Sequence, residues 1–174
     1  MKRFPFIIPL LLLLSGCITN QAHDPLPSPA SVDLDRMMGK WYVVASIPTV
    51  FERAPYAAMV NMARAERGID IEYTFLTDSF DGKSRRIPAS AMVDNPGINT
   101  DWTLSVAWPF GSDVRVIYNE PDYSTVVIAN PDRKKLWILS RRSSISGPVF
   151  SDIIYRVQGL GFNIGDIRNI PHRS

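Results

Sequence analysis

The stretch Met38-Gly39-Lys40-Trp41-Tyr42-Val43-Val44-Ala45-Ser46-Ile47-Pro48 divides the chain: the residues before it read as address and tether, and those after it read as sheet. Gly39 permits a sharp backbone turn that a side chain would oppose. Trp41 then opens a β-rich run that Pro48 closes. By the period of two, Trp41, Val43, Ala45 and Ile47 share one apolar face, which belongs inside. Trp41 is read as a packing group rather than a reacting one, since buried indoles serve mainly as core.

Upstream, Lys2 and Arg3 precede an apolar run over residues 4–14 that is too short to span a bilayer, so residues 1–16 read as a signal peptide. Leu14-Ser15-Gly16-Cys17 resembles the lipobox of bacterial lipoproteins. That resemblance implies cleavage before Cys17, lipidation of that cysteine with acyl chains such as palmitate, and attachment to a membrane. Ile18 stands where an inner-membrane lipoprotein carries Asp, which implies the outer membrane, with the domain facing the periplasm. Cys17 is the only cysteine, so an exported chain has no internal disulfide to form. Residues 17–31 contain Pro25, Pro27 and Pro29 and read as an extended, poorly packed tether.

Composition narrows the function. Removing residues 1–16 takes away Lys2 and Arg3, which leaves 19 − 2 = 17 basic against 17 acidic residues. A neutral chain lacks the concentrated basic face that nucleic acid requires. The local cluster Arg133-Lys134-Lys135 with Arg141 and Arg142 reads as solvated turn charge, or as a contact for anionic headgroups. The only histidines, His23 and His172, lie in the tether and the tail. Neither is placed to act as a core base or metal ligand, and acylation would consume Cys17, so neither a catalytic site nor a metal or cofactor site is expected. Acidic pairs such as Glu66 with Glu72 flank a turn and read as solvated.

From Val32 onward the chain is one domain, residues 32–170, with a tail over 171–174 that is expected to fray. Asp33 is a candidate N-cap for one helical turn that leads into Gly39 and plugs one end of the sheet. Residues 49–56 show neither period and read as a long functional loop. The second strand, about residues 57–66, alternates poorly, and Arg64 breaks it. Ile69, Ile71, Tyr73 and Phe75 alternate with Asp70, Glu72 and Thr74, and Ile87, Ala89, Ala91 and Val93 share parity, as do Trp102, Leu104, Val106 and Trp108. Val114, Val116 and Tyr118, then residues 123–130 and 135–141, complete eight strands with short turns and no intervening helix. Short connections require antiparallel neighbours, and closing the meander into a barrel removes its exposed edges. At eight strands the interior either fills with side chains or holds one small ligand.

The period changes after Ser146, a candidate N-cap. Val149, Phe150, Ile153, Ile154, Val157 and Leu160 form a helical stripe suited to the barrel wall, or else to a partner. Gly159 and Gly161 stop the helix, and residues 162–167 suggest a short ninth strand.

Gly39-Lys40-Trp41 at the first strand, Pro121-Asp122-Tyr123 before the seventh and Arg141 after the eighth, followed by one helix, resemble the three signature regions of the lipocalins. With the lipobox, the phrase Phe51-Glu52-Arg53 and the run Leu136-Trp137-Ile138-Leu139-Ser140-Arg141, they resemble the bacterial outer-membrane lipocalins. The resemblance implies an all-β fold: an eight-stranded antiparallel up-and-down barrel with a C-terminal α-helix packed on its wall. It also implies that Gly39, Trp41, Asp122, Tyr123 and Arg141 are structural, with the Arg141 guanidinium on the Trp41 indole at the closed end. Two departures are Pro121, where the signature has Thr, and Arg64, which would place a cation near the pocket mouth.

Inward parity nominates Val43, Ile71, Tyr73, Val93, Leu104, Val106, Trp108, Val116, Tyr118 and Trp137 as ligand-binding, with Phe51 and Tyr56 from the loop. The resemblance implies a fatty acid or lysophospholipid as ligand and a role in holding or moving lipids for envelope maintenance. The alternative is a lipoprotein that acts as a structural or assembly partner through its outer surface, with a filled interior. The sequence is compatible with a homodimer.

Overall fold

A computed structural model describes residues 24–173 except Phe51, Arg53 and Trp108. Cys17 and the leader therefore lie outside the described residues, as do the two predicted pocket aromatics Phe51 and Trp108. One helical turn, α1 (Leu34–Met37), precedes eight strands: β1 (Gly39–Ile47), β2 (Pro55–Ala65), β3 (Gly68–Thr77), β4 (Ser84–Val93), β5 (Asp101–Ala107), β6 (Phe110–Asn119), β7 (Thr125–Ala129) and β8 (Leu136–Ser140). Helix α2 (Gly147–Gly159), a 3-10 turn (Ile164–Asp166) and a two-residue strand β9 (Arg168–Asn169) complete the chain. Each of the eight strands pairs antiparallel with the next, and β1 joins both β8 and β2, so the sheet closes. Among the described residues, no helix is long and apolar enough to cross a membrane.

Local chemistry accounts for the ends. Asp33 caps α1, its carboxylate accepting from the amides of Asp35 (2.9 Å) and Arg36 (3.3 Å). Gly39 turns the chain at φ +90°. At Gly68, which sits at φ +100° between β2 and β3, a Cβ would lie 2.1 Å from the Ala91 carbonyl oxygen, so only glycine fits. Ser146 is the N-cap residue of α2, although its side chain makes no capping bond there. The expected stripe is observed on α2: Ile153 and Val157 are buried against the wall, and Val149, Phe150, Ile154 and Leu160 pack around them.

Two apolar clusters result. One fills the barrel around Met37, Trp41, Val43, Ile69, Trp102 and Val116. The other lies between the outer wall and α2 and includes Val44, Ala45, Ile47, Ile138 and Val157. The division corrects the reading of β1. The register shifts between Val43 and Ala45, so Trp41 and Val43 face inward, whereas Ala45 and Ile47 face α2. A shift between Val116 and Tyr118 does the same to β6: Tyr118, predicted inside, packs on the outer wall beneath α2.

The described residues that flank the barrel are more ordered than their composition suggests. Residues 162–167 contain the 3-10 turn, and the ninth strand comes just after, at Arg168–Asn169. β2 pairs with β1 only as far as Tyr42, and β9 takes up the released edge at Ala45 and Ser46. The tail continues that seam. The Pro171 carbonyl accepts from the Ala57 amide (2.8 Å), the His172 ring bonds the Val43 carbonyl (2.9 Å), and Arg173 pairs with Asp81 (3.1 Å). At the other end Leu26, expected in a loose tether, is 3 % exposed and packs in the outer cluster.

Candidate ligand-binding site

The closed end is built by the residues singled out from the sequence. Trp41 is fully buried, and its indole N–H donates to the Met37 carbonyl (2.7 Å). The Arg141 guanidinium lies 3.6 Å from the centroid of that ring and donates to the carbonyls of Lys40 (2.7 Å), Arg36 (2.5 Å) and Met38 (2.8 Å). Burial lowers the Arg141 pKa, since desolvation opposes the cation. The Tyr123 hydroxyl accepts from the Asp33 amide (2.7 Å), and Arg36 stacks on the Tyr123 ring at 4.3 Å. Asp122 accepts from the Ser124 amide (2.9 Å), and its hydrogen bonding to Ser124 holds the carboxyl below the usual carboxylate range. The turn that holds Pro121 is thus closed without the signature threonine. Arg64 also belongs to this end, where it pairs with Asp35 in solvent (2.8 Å); the cation expected at the pocket mouth is at the opposite pole.

The other end is open. A cavity of about 390 Å³ enters the barrel between the β1–β2 loop, the β7–β8 turn and the walls of β2 to β6. That lies within the roughly 300–1,000 Å³ of small-molecule pockets. Of the predicted residues, Ile71, Tyr73, Leu104, Val106 and Trp137 line it. Val43, Val93 and Val116 point inward but pack in the filled part of the interior, below the cavity. Tyr56 stands outside it, edge-on to Phe80 with centroids 5.1 Å apart. Tyr118, displaced by the bulge, donates to Glu120 (2.6 Å); desolvation first and that carboxylate second push its pKa up to about 12. A larger groove of about 580 Å³ lies on the outside between α2 and the wall, away from the inward faces of the strands.

Several lining groups are not among the nominated residues. Val60 and Met62 come from the poorly alternating β2, whose pairing slips between Tyr56 and Met59; Trp102 shares the parity of Leu104 and Val106 without being nominated with them, and Leu139 is likewise absent from the set. The most consequential is Glu52. It is 5 % exposed, and its Oε2 accepts from the Thr49 amide (2.8 Å). Among the described residues, neither Glu52 Oε1 nor the Tyr73 hydroxyl has a hydrogen-bond partner, although both are buried at the cavity. Burial, followed by the nearby charge of Glu52, holds the Tyr73 phenol well above the ordinary tyrosine range, so it remains a neutral donor. Thr49, Ser112, Lys134 and Lys135 complete the polar part of the lining, with Lys135 Nζ 3.3 Å from Ser112 Oγ. The arrangement is an apolar interior with hydrogen-bonding and charged groups gathered toward one opening. It can desolvate a hydrocarbon chain while offering partners to a polar head.

Comparison with known proteins gives a family. The family model described as "Lipocalin-like domain" matches residues 32–172. Temperature-induced lipocalin-1 of Arabidopsis thaliana is 27% identical over 150 residues, 80% of this chain and 79% of its own length. Outer membrane lipoprotein Blc of Vibrio cholerae is 26% identical over 165 residues, 92% of this chain and 94% of its own. Among solved structures, insecticyanin of the tobacco hornworm Manduca sexta superposes with a TM-score of 0.64 at 13% identity, covering 87% of this chain and 86% of that one. Lobster apocrustacyanin A1 gives 0.63 at 11%, covering 86% and 92%.

Proposed function

The chain belongs to the lipocalin-like family, and on that premise we propose that it is a membrane-anchored lipid carrier whose barrel holds a fatty acid or lysophospholipid. The family supports a small hydrophobic ligand, and its members are generally binding and transport proteins rather than enzymes. The observation that carries the proposal is the cavity itself, about 390 Å³ of largely apolar space with Glu52, Tyr73, Lys134 and Lys135 among its lining. Burying an alkyl chain against Ile71, Leu104, Val106 and Trp137 contributes about 0.8 kcal/mol per methylene removed from water. The head group stays at the opening, where the two lysines attract a phosphate or carboxylate, while the Tyr73 hydroxyl and Glu52 Oε1 lie buried in the wall beneath.

The resemblance of residues 14–17 to a lipobox and the similarity to the Blc outer membrane lipoproteins support acylation of Cys17 and residence at the outer membrane, facing the periplasm. There the protein would hold or move single-chain lipids for envelope maintenance. The competing role, a purely structural partner, calls for a filled interior; the cavity favours the carrier.

Trp102 and Trp137 line the cavity and report on its contents. Titration with a lysophospholipid is expected to change intrinsic fluorescence saturably at micromolar lipid. A linear response, or none, would remove the support for a carrier.

A further inference from the structure

We propose that the rim of the open end is a membrane-docking face, turned toward the bilayer by the way the chain's own N-terminal segment is strapped to the barrel. The inference rests on the proposed acylation of Cys17.

The strap has a direction. Arg133, in the turn between β7 and β8 at the open end, is buried, and its guanidinium donates to three carbonyls: Pro131 beside it, Leu160 after α2 (3.1 Å) and Asp24 of the N-terminal segment. From Asp24 the chain descends the outer wall. Leu26 is buried in the outer cluster, and its carbonyl accepts from Arg115 in the middle of β6 (2.5 Å). Val32 reaches the closed end, where its amide donates to Ile98 (2.8 Å) and its carbonyl accepts from Asn99 (3.0 Å). Residue 24 is therefore at the mouth and residue 32 at the opposite pole. Residues 18–23 alone separate Cys17 from Asp24, a reach of about 20 Å at roughly 3.1 Å per residue. An acylated Cys17 consequently holds the open end, not the closed end, near the lipid.

The surface presented there suits a bilayer. Val50 in the β1–β2 loop is 92% exposed, Phe110 at the β5–β6 tip 77% and Val106 beside it 46%. Lone exposed apolar residues need no explanation, but these lie on facing sides of one opening, with Lys134 and Lys135 on the β7–β8 turn between them. Of the acids at this end, Asp81 pairs with Arg173 (3.1 Å), Asp132 accepts from the Lys134 amide (2.9 Å) and Glu52 is buried, while Asp78 and Asp113 are exposed. Apolar tips flanked by cations are the composition of a face that settles at the headgroup boundary of an anionic membrane. Docked in this way, the cavity would open toward the lipids it exchanges.

The test uses the full-length acylated protein reconstituted into vesicles of phosphatidylethanolamine and phosphatidylglycerol. Acylation consumes the only native thiol, so Phe110→Cys and Met92→Cys each supply one site for a fluorescent label. Met92 is 60% exposed on the outer wall, near the end of β4 that approaches the closed end. A headgroup-level quencher in the lipid is expected to quench the label at position 110 about threefold more than that at position 92. Equal quenching, or more at 92, would overturn the docking face while leaving the anchor intact. Intact mass is measured first, and an unmodified Cys17 would overturn the anchor and this inference together.

Discussion

Trp41→Ala is expected to destabilise the barrel by about 3–5 kcal/mol, the range for deleting a fully buried aromatic side chain. For a domain of this size that corresponds to a fall in melting temperature on the order of 10 °C. The indole is completely buried at the closed end, and its loss strips the Met37 carbonyl of its donor and removes the face on which Arg141 rests. Arg141 in turn ties together the carbonyls of Arg36, Met38 and Lys40, so the turn that enters β1 loosens with it. Urea unfolding with a fixed m-value checks the figure. A loss below about 1 kcal/mol would show that the closed end is pinned by something other than this pair.

Leu104→Trp is expected to leave the fold standing and weaken lipid binding by about 30-fold or more. Leu104 lines the cavity on β5, with Trp102 below it and Val106 above it on the same inward face. An indole there projects into the space an alkyl chain would occupy, and displacing even a few methylenes at about 0.8 kcal/mol each removes roughly 2 kcal/mol or more of binding. The added volume enters open space rather than a packed core, so the overpacking cost of about 1–3 kcal/mol should fall at its lower end. Lipid titration and thermal unfolding are measured on the same sample. Unchanged affinity in a folded variant would place the ligand outside the barrel, with the groove under α2 as the next candidate.

The parts of the molecule that are legible in the sequence are those in which one rule acts alone. β3 alternates without interruption, and Ile69, Ile71, Tyr73 and Phe75 all face inward as the period requires. The stripe on α2 and the cap at Asp33 arise from similarly local signals, whereas the pairing of Trp41 with Arg141 is implied only by the resemblance to the lipocalins. Where a strand has to change its pairing, parity fails. β1 serves β2, β8 and β9 in turn, and its slip past Val43 sends Ala45 and Ile47 to the opposite face, with no glycine or proline to announce it. Tyr118 departs from its expected face for the same reason. Alternation in a single strand cannot register a bulge that exists only relative to a neighbour.

The site is less legible than the fold. Glu52 lies in an aperiodic loop, where an acid ordinarily meets water; only the folding of that loop over the barrel buries it beside Tyr73. Low apolar content also makes both termini look loose. Leu26 has one large apolar side chain to bury, and His172 bonds a single carbonyl, but each falls on an edge or groove that the barrel leaves open. Such contacts are supplied by tertiary geometry, and composition does not reveal them.

Whether the barrel encloses a single-chain lipid is decided by native mass spectrometry of the protein extracted from its own envelope. A carrier is expected to show, beyond the covalent acyl mass, a non-covalent adduct with the mass of a fatty acid or lysophospholipid that is released on denaturation and diminished in Leu104→Trp. A folded protein carrying only its covalent anchor, or an adduct retained equally by Leu104→Trp, would rule out lipid held inside the barrel.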